Sequence, residues 1–190
     1  PKNYTNSKIR IVKTNGGGSA RPQEEVELNH QWKELSPENI RFFSSAAYYF
    51  GVSLQESIDV PIGLIQSCLS ATAIDLWIPA PVLHSNPIYK EDSEKYKKYL
   101  AEFPKKNKVY QEDLKEWQEK HQANNLALNK VPAAIRRTIP RAPIGPNSTK
   151  LPSALYNKMI APLHQFPIKG IIWYQGEANA NNFERVKTYE

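Results

Sequence analysis

A chain of 190 residues, 40% hydrophobic and 23% charged, has the length and apolar content to close a core, which excludes an intrinsically disordered chain. No apolar run approaches the ~20 residues of a membrane helix, so membrane insertion is not expected. A single cysteine, Cys68, excludes an internal disulfide framework and a Cys-rich metal site. Cys68 ends an apolar run and is expected to be a buried structural thiol. The net charge of +6 raises nucleic acid as a partner. From Lys90 to Lys130, however, lysines alternate with Asp and Glu, the pattern of a solvated helical face. Only Val131–Lys150 is one-sidedly basic, through Arg136, Arg137, Arg141 and Lys150, and no nucleic-acid partner is expected. Pro1 stands where a Met would begin a natural chain, so the native N-terminus is expected to be missing. No signal-peptide pattern is present there.

In chain order, Ile9–Lys13 is short and β-branched and predicts a strand. Asn15–Gly18 breaks it, and Ser36-Pro37-Glu38 is a turn or helix-start signal. Ser45–Ile58 predicts a helix with Ala47, Phe50, Leu54 and Ile58 on one face, ended by Asp59. Val60–Gln66 is a nearly unbroken apolar run, as in a parallel strand covered on both faces. Tyr89–Asn129 predicts two helical arms laid over the core, with Pro104 between them. Tyr96, Leu100 and Phe103 share a face in the first arm, and Tyr110, Leu114, Trp117 and His121 share one in the second. Val131–Pro152 is a Pro-rich loop. Ser153 caps a helix to about Leu163 that uses Leu155, Met159, Ile160 and Leu163. Ile168–Tyr174 predicts a second buried strand, and Phe183–Glu190 the start of a further helix. Helix and buried strand in succession describe an α/β fold with a parallel sheet.

Ligands of such a sheet bind outside the carboxyl ends of its strands. Two loops qualify, Ser67–Trp77 and Gln175–Ala180. Gln175, directly after an apolar strand, has no packing role, and its amide needs partners. Glu177 adds a carboxylate at the rim. Two readings remain open: a functional loop, or polar side chains that satisfy loop backbone. The chain has no Gly-x-Ser-x-Gly elbow, phosphate loop or His-Glu-x-x-His zinc motif. His30, His84, His121 and His164 stand without a carboxylate pattern and are expected to be structural. No cofactor or metal is implied.

The run Ile171-Ile172-Trp173-Tyr174-Gln175-Gly176-Glu177-Ala178-Asn179-Ala180 closely resembles the third conserved block of the sialate O-acetylesterases, SGNH-type carbohydrate esterases. Val60–Ile65 followed by Thr72–Trp77 resembles the second block. Ser44–Gly51 and Leu155–Leu163 resemble the helices that precede the two blocks. The resemblance covers the chain from about Trp32 onward and implies a three-layer, flavodoxin-like SGNH-hydrolase fold, incomplete across residues 1–190. Residues 89–130 would be a charged helical insertion, followed by the Pro-rich loop 131–152. It implies hydrolysis of acetyl esters on sialic acid or a related glycan by a Ser-His-Asp mechanism. Acetyl-xylan or another polysaccharide is the alternative substrate, and a non-catalytic carbohydrate-binding protein the alternative class.

The resemblance assigns Gln175 as a side-chain donor of the oxyanion hole and Ser70-Ala71 as the backbone-donor region of block two. Glu177 and Asn179 are candidates for shaping the loop or touching the sugar. Ser70-Ala71 departs from the usual Gly-Gly, whose glycines supply positive φ or close approach. No residue of this chain matches the nucleophilic Ser or the Asp/His pair. The serine-bearing strand would run between those at Ile9–Lys13 and Val60–Gln66, so its absence implies a gap in the sheet and a fragment that is inactive and unstable alone. Members of the family are commonly exported, which makes a secreted or periplasmic location the expectation.

Overall fold

A computed structural model of the chain describes residues 4–121 and 130–180. The first predicted strand is β1, Asn6–Lys13, with Ile9, Ile11 and Val12 buried. It pairs in parallel with β3, Ile62–Gln66, in register from Ile9 opposite Ile62 to Lys13 opposite Gln66. On its other edge β1 takes an antiparallel partner that the sequence pattern did not single out, β2, Lys33–Leu35. The result is a small mixed sheet in the order β2-β1-β3 within an α/β fold. β2 escapes pattern reading because it has three residues and only Leu35 is buried.

The expected gap between the first and second apolar strands is absent. β1 and β3 are hydrogen-bonded neighbours, and their parallel edges satisfy each other's backbone groups. β3 is covered less than its apolar run predicts, since only Leu64 is buried. It is an edge strand of this sheet, with the Trp32 ring lying against Gly63.

Helix α1, Ser45–Ile58, has the predicted bounds for local reasons. Ser44 Oγ accepts the Ala47 N–H at 3.3 Å, and Asp59 terminates the helix in the left-handed region at φ 50° with its N–H on Gln55 O. Its buried face is not the predicted one. Tyr48, Gly51 and Gln55 face inward, while Phe50 and Ile58 are exposed. Gly51 decides this: a Cβ there would lie 2.6 Å from Leu64 Cδ1, so the helix seats directly on β3 through its glycine. Gln55 Oε1 then accepts from Asn6 Nδ2 at 2.8 Å. The core between helix and sheet gathers Ile9, Ile11, Leu35, Tyr48 and Leu64. Each such side chain contributes about 1.5–3 kcal/mol by burial.

The predicted helical hairpin is instead one helix. After a short α2, Ala80–Ser85, α3 runs unbroken from Lys90 to Lys120 with Pro104 inside it. The Pro removes one hydrogen bond and costs about 3 kcal/mol, while long flanks of Lys, Glu and Leu propagate the helix on both sides. Nor is α3 laid over the sheet, because only Ser93 and Trp117 of it are buried. Phe103 abuts Gly145, and Trp117 packs with Leu114, Val131, Ile135 and Ile139 and donates to Thr138 Oγ1 at 2.8 Å. The part of the prediction over residues 122–129 lies outside the described residues, as does the helix predicted at Phe183–Glu190. The Pro-rich loop contains one short helix, α4, Ala133–Arg136.

Beyond it the chain coils irregularly, π-helical over Tyr156–Ile160 and 3₁₀ over Ala161–Gln165, where a plain helix was predicted. Pro162 explains the break, having no N–H to donate one turn back. Leu155 and Met159 still pack on Trp77 as expected of the apolar face. Cys68 is exposed rather than buried, since β3 has ended at Gln66 and the chain has entered a loop. Ile168–Tyr174 is likewise not a buried strand. It has no strand partner among the described residues, and Ile171 and Tyr174 are each 81% exposed. An apolar run becomes a strand only where a neighbour takes its hydrogen bonds and a layer covers it, and the described residues supply neither.

The long loop after β1 is pinned to the coil at 154–165. Ser19 N–H donates to Ala154 O at 3.1 Å, Gln23 N–H to Asn157 O at 2.8 Å, and Asn157 Nδ2 to Ser19 O at 3.0 Å. Gly18 permits this approach: a Cβ there would sit 2.4 Å from the Ser148 carbonyl oxygen, a backbone atom with little room to yield. Gly18→Ala is expected to destabilise the chain by about 1–3 kcal/mol, read as a lower urea midpoint. An unchanged midpoint would contradict this packing.

Candidate active site

The loop after β3 turns at Ser70-Ala71, both exposed. Ala71 has φ 57°, a left-handed conformation that is about 1–2 kcal/mol unfavourable for a residue with a Cβ. The position thus has the backbone for which glycine is suited, and alanine occupies it. Thr72 closes the turn, its Oγ1 donating to Leu69 O at 2.7 Å and accepting from Trp77 Nε1 at 3.0 Å. A 3₁₀ turn over Ile74–Leu76 follows, and Trp77 anchors it on Leu155 and Met159. The Asp75 carbonyl receives the Ser153 N–H at 3.0 Å, which ties the same loop to the coil beneath.

The second loop reaches this one from the far end of the chain. The exposed segment before it brings Trp173 edge-on to Trp77, with ring centroids 6.3 Å apart. Gln175 then extends its side chain across, and Nε2 donates to Thr72 O and to Asn179 Oδ1, each at 3.0 Å. Asn179 Oδ1 also accepts the Ile74 N–H at 2.9 Å. Asn179 lies in the short helix α5, Glu177–Ala180, where Gly176 O accepts the N–H groups of Asn179 and Ala180. Asn179 is 1% exposed, whereas Glu177 is at the surface. Gln175, Asn179 and the Ser70-Ala71 turn are therefore brought together, with Glu177 at the rim.

No serine hydroxyl meets a histidine ring nitrogen among the described residues. His30 Nδ1 contacts Gln31 O, His121 lies beside Trp117, and His164 beside Tyr156. Nor do the described residues hold three or more His, Cys, Asp or Glu in a group able to bind a metal ion. No described helix is long and apolar enough to cross a membrane. Sequence reading missed the contacts that matter most here, the Thr72 carbonyl, the Ile74 N–H and the Trp77–Trp173 pair. The only available sign was that both loops follow apolar runs.

No family model matches the chain. Its fold resembles that of a carbohydrate acetylesterase. The crystal structure of such an enzyme from Xanthomonas citri superposes with a TM-score of 0.57 at 27% identity, covering 96% of this chain and 28% of that one. In sequence, the chain is similar to sialate O-acetylesterases. The protein of Rattus norvegicus is 29% identical over 143 residues, 75% of this chain and 23% of that protein. The protein of Mus musculus is 28% identical over 161 residues, 82% and 26%. The chain thus spans about a quarter of the length of the relatives it matches. The family resemblance carried by the two motif blocks is supported by these findings.

The strain at Ala71 has a measurable consequence. Ala71→Gly is expected to stabilise the chain by about 0.5–1 kcal/mol, because relief of the left-handed alanine outweighs the added freedom of the unfolded chain. The urea midpoint should rise; a fall would contradict the left-handed conformation.

Proposed function

We propose that residues 1–190 are a partial SGNH-hydrolase domain of a carbohydrate O-acetylesterase acting on acetyl esters of sialic acid or a related glycan. Gln175 is the side-chain donor of its oxyanion hole. The observation that carries this reading is the reach of Gln175 Nε2 to Thr72 O, one residue beyond Ala71. Gln175 and Thr72, 103 residues apart in sequence, put the amide donor and the backbone-donor turn on one wall. In acetyl transfer the carbonyl oxygen becomes an anion as the nucleophile adds, and donors already aimed at that oxygen lower the barrier. The amide hydrogens of Gln175 rest on Thr72 O and Asn179 Oδ1 in this structure, and the oxyanion would displace one of those acceptors. In this reading the attacking serine, the histidine that takes its proton and the aspartate that orients the histidine lie outside residues 1–190. The 190-residue chain alone would then not hydrolyse acetyl esters. A secreted or periplasmic location is part of the proposal, by likeness to exported esterases.

One observation favours a second reading. Ala71 places a methyl group on the turn where the resemblance implies glycine; a methyl there would crowd an acetyl group, which suits a non-catalytic carbohydrate-binding protein. An esterase of acetyl-xylan or another polysaccharide would use the same oxyanion wall and differs only in the sugar.

The test uses the intact natural polypeptide containing this sequence, assayed on acetylated sialic acid and on acetylated xylan. Gln175→Ala is expected to lower turnover by about 100-fold or more, with a loss of about 1 kcal/mol in stability from its missing hydrogen bonds. Unchanged turnover would remove Gln175 from the oxyanion hole. Sugar binding without hydrolysis by the unmutated protein would favour the second reading.

A further inference from the structure

An amide side chain can present either its oxygen or its nitrogen, and only one orientation of Gln175 donates toward the Ser70-Ala71 turn. The structure contains a device that decides between them. The Ile74 backbone N–H can only donate, so the Asn179 atom 2.9 Å from it is the carboxamide oxygen. The Gln175 atom 3.0 Å from that oxygen must then be its NH₂. The Thr72 carbonyl, 3.0 Å from the same Gln175 atom, can only accept and requires the same answer. A flipped Gln175 would set its oxygen against two other oxygens.

We propose that Asn179 is a positioning residue that takes the Ile74 N–H and the Gln175 amide on one buried oxygen and so holds Gln175 as a donor toward the block-two turn. Asn179 is 1% exposed, so bulk water does not compete at that oxygen. Its own N–H is held by Gly176 O at 3.0 Å, and that bond keeps the side chain in place one helical turn after Gln175. The role is distinct from contact with a sugar, which a side chain this buried would not make. The consequence for turnover rests on the proposed oxyanion role of Gln175; the orienting role itself does not.

The test uses the intact polypeptide with three measurements: steady-state kinetics, hydrogen exchange at the Ile74 amide, and the NMR signals of ¹⁵N-labelled glutamine side chains. Asn179→Ala should speed exchange at Ile74, shift or broaden the Gln175 NH₂ signals, and lower kcat by about 10–100-fold with KM little changed. Asn179→Asp keeps an oxygen acceptor for both N–H donors, and should restore the exchange protection, the amide signals and most of kcat. Normal Gln175 signals and Ile74 protection in Asn179→Ala would overturn the proposal. It would also fall if Asn179→Asp were as impaired as Asn179→Ala in these signals while remaining folded. Absence of hydrolysis by the unmutated protein would instead sink the esterase reading, and the exchange and NMR measurements would still decide the role of Asn179.

Discussion

The loops that carry the candidate site hold to each other through two hydrogen bonds, joined by a third within the second loop that links their two side-chain amides. The Ile74 N–H and Gln175 Nε2 both end on Asn179 Oδ1, and Gln175 Nε2 also ends on Thr72 O. Beside them, Trp173 of the segment from Ile168 to Tyr174 lies edge-on against Trp77. Each bond is individually modest, about 1 kcal/mol net. A shared, buried acceptor makes the set more than additive in specificity, because any one partner in the wrong orientation strands the others.

The rest of the fold presents the first of these loops at a defined place. β1 and β3 run parallel, so β3 delivers its carboxyl end to the turn at Ser70-Ala71. Gly51 allows α1 to seat on Leu64 and hold β3 from one side. Gln66 ends the strand by accepting the Ser44 N–H at 2.8 Å, which fixes the start of α1 beside the loop. On the other side, Trp77 is set into Leu155 and Met159, and Ser67 Oγ donates to Met159 O at 3.0 Å. The turn is thereby clamped between helix and coil, and Ala71 is kept in a conformation it would not choose.

Legibility in the sequence followed the range of the forces involved. The bounds of α1 were readable because a serine cap and a left-handed terminator act within four residues. Which face of α1 turns inward was not, since it depends on a missing Cβ at Gly51 meeting Leu64. Pro104 predicts a break because its local effect is unfavourable, yet the flanking helix formers outweigh one lost bond. Ile168–Tyr174 has the composition of a strand, but strand formation needs partners that composition cannot name. The candidate site divides the same way. Gln175 stood out as an amide with no packing role, while the identity of its partners, a carbonyl 103 residues away and an asparagine on the next helical turn, required the folded chain. The positive φ at Ala71 could be anticipated only through the glycines of the resembling family.

The loop after β3 and the loop from Trp173 to Ala180 form one energetic unit. The most direct measurement is a double-mutant cycle on stability between Trp77→Leu and Trp173→Leu, whose rings meet edge to face at 6.3 Å. A coupling of about 0.5–1.5 kcal/mol between the two substitutions is expected. Strict additivity, within about 0.3 kcal/mol, would mean that the two loops do not touch in solution and would contradict it.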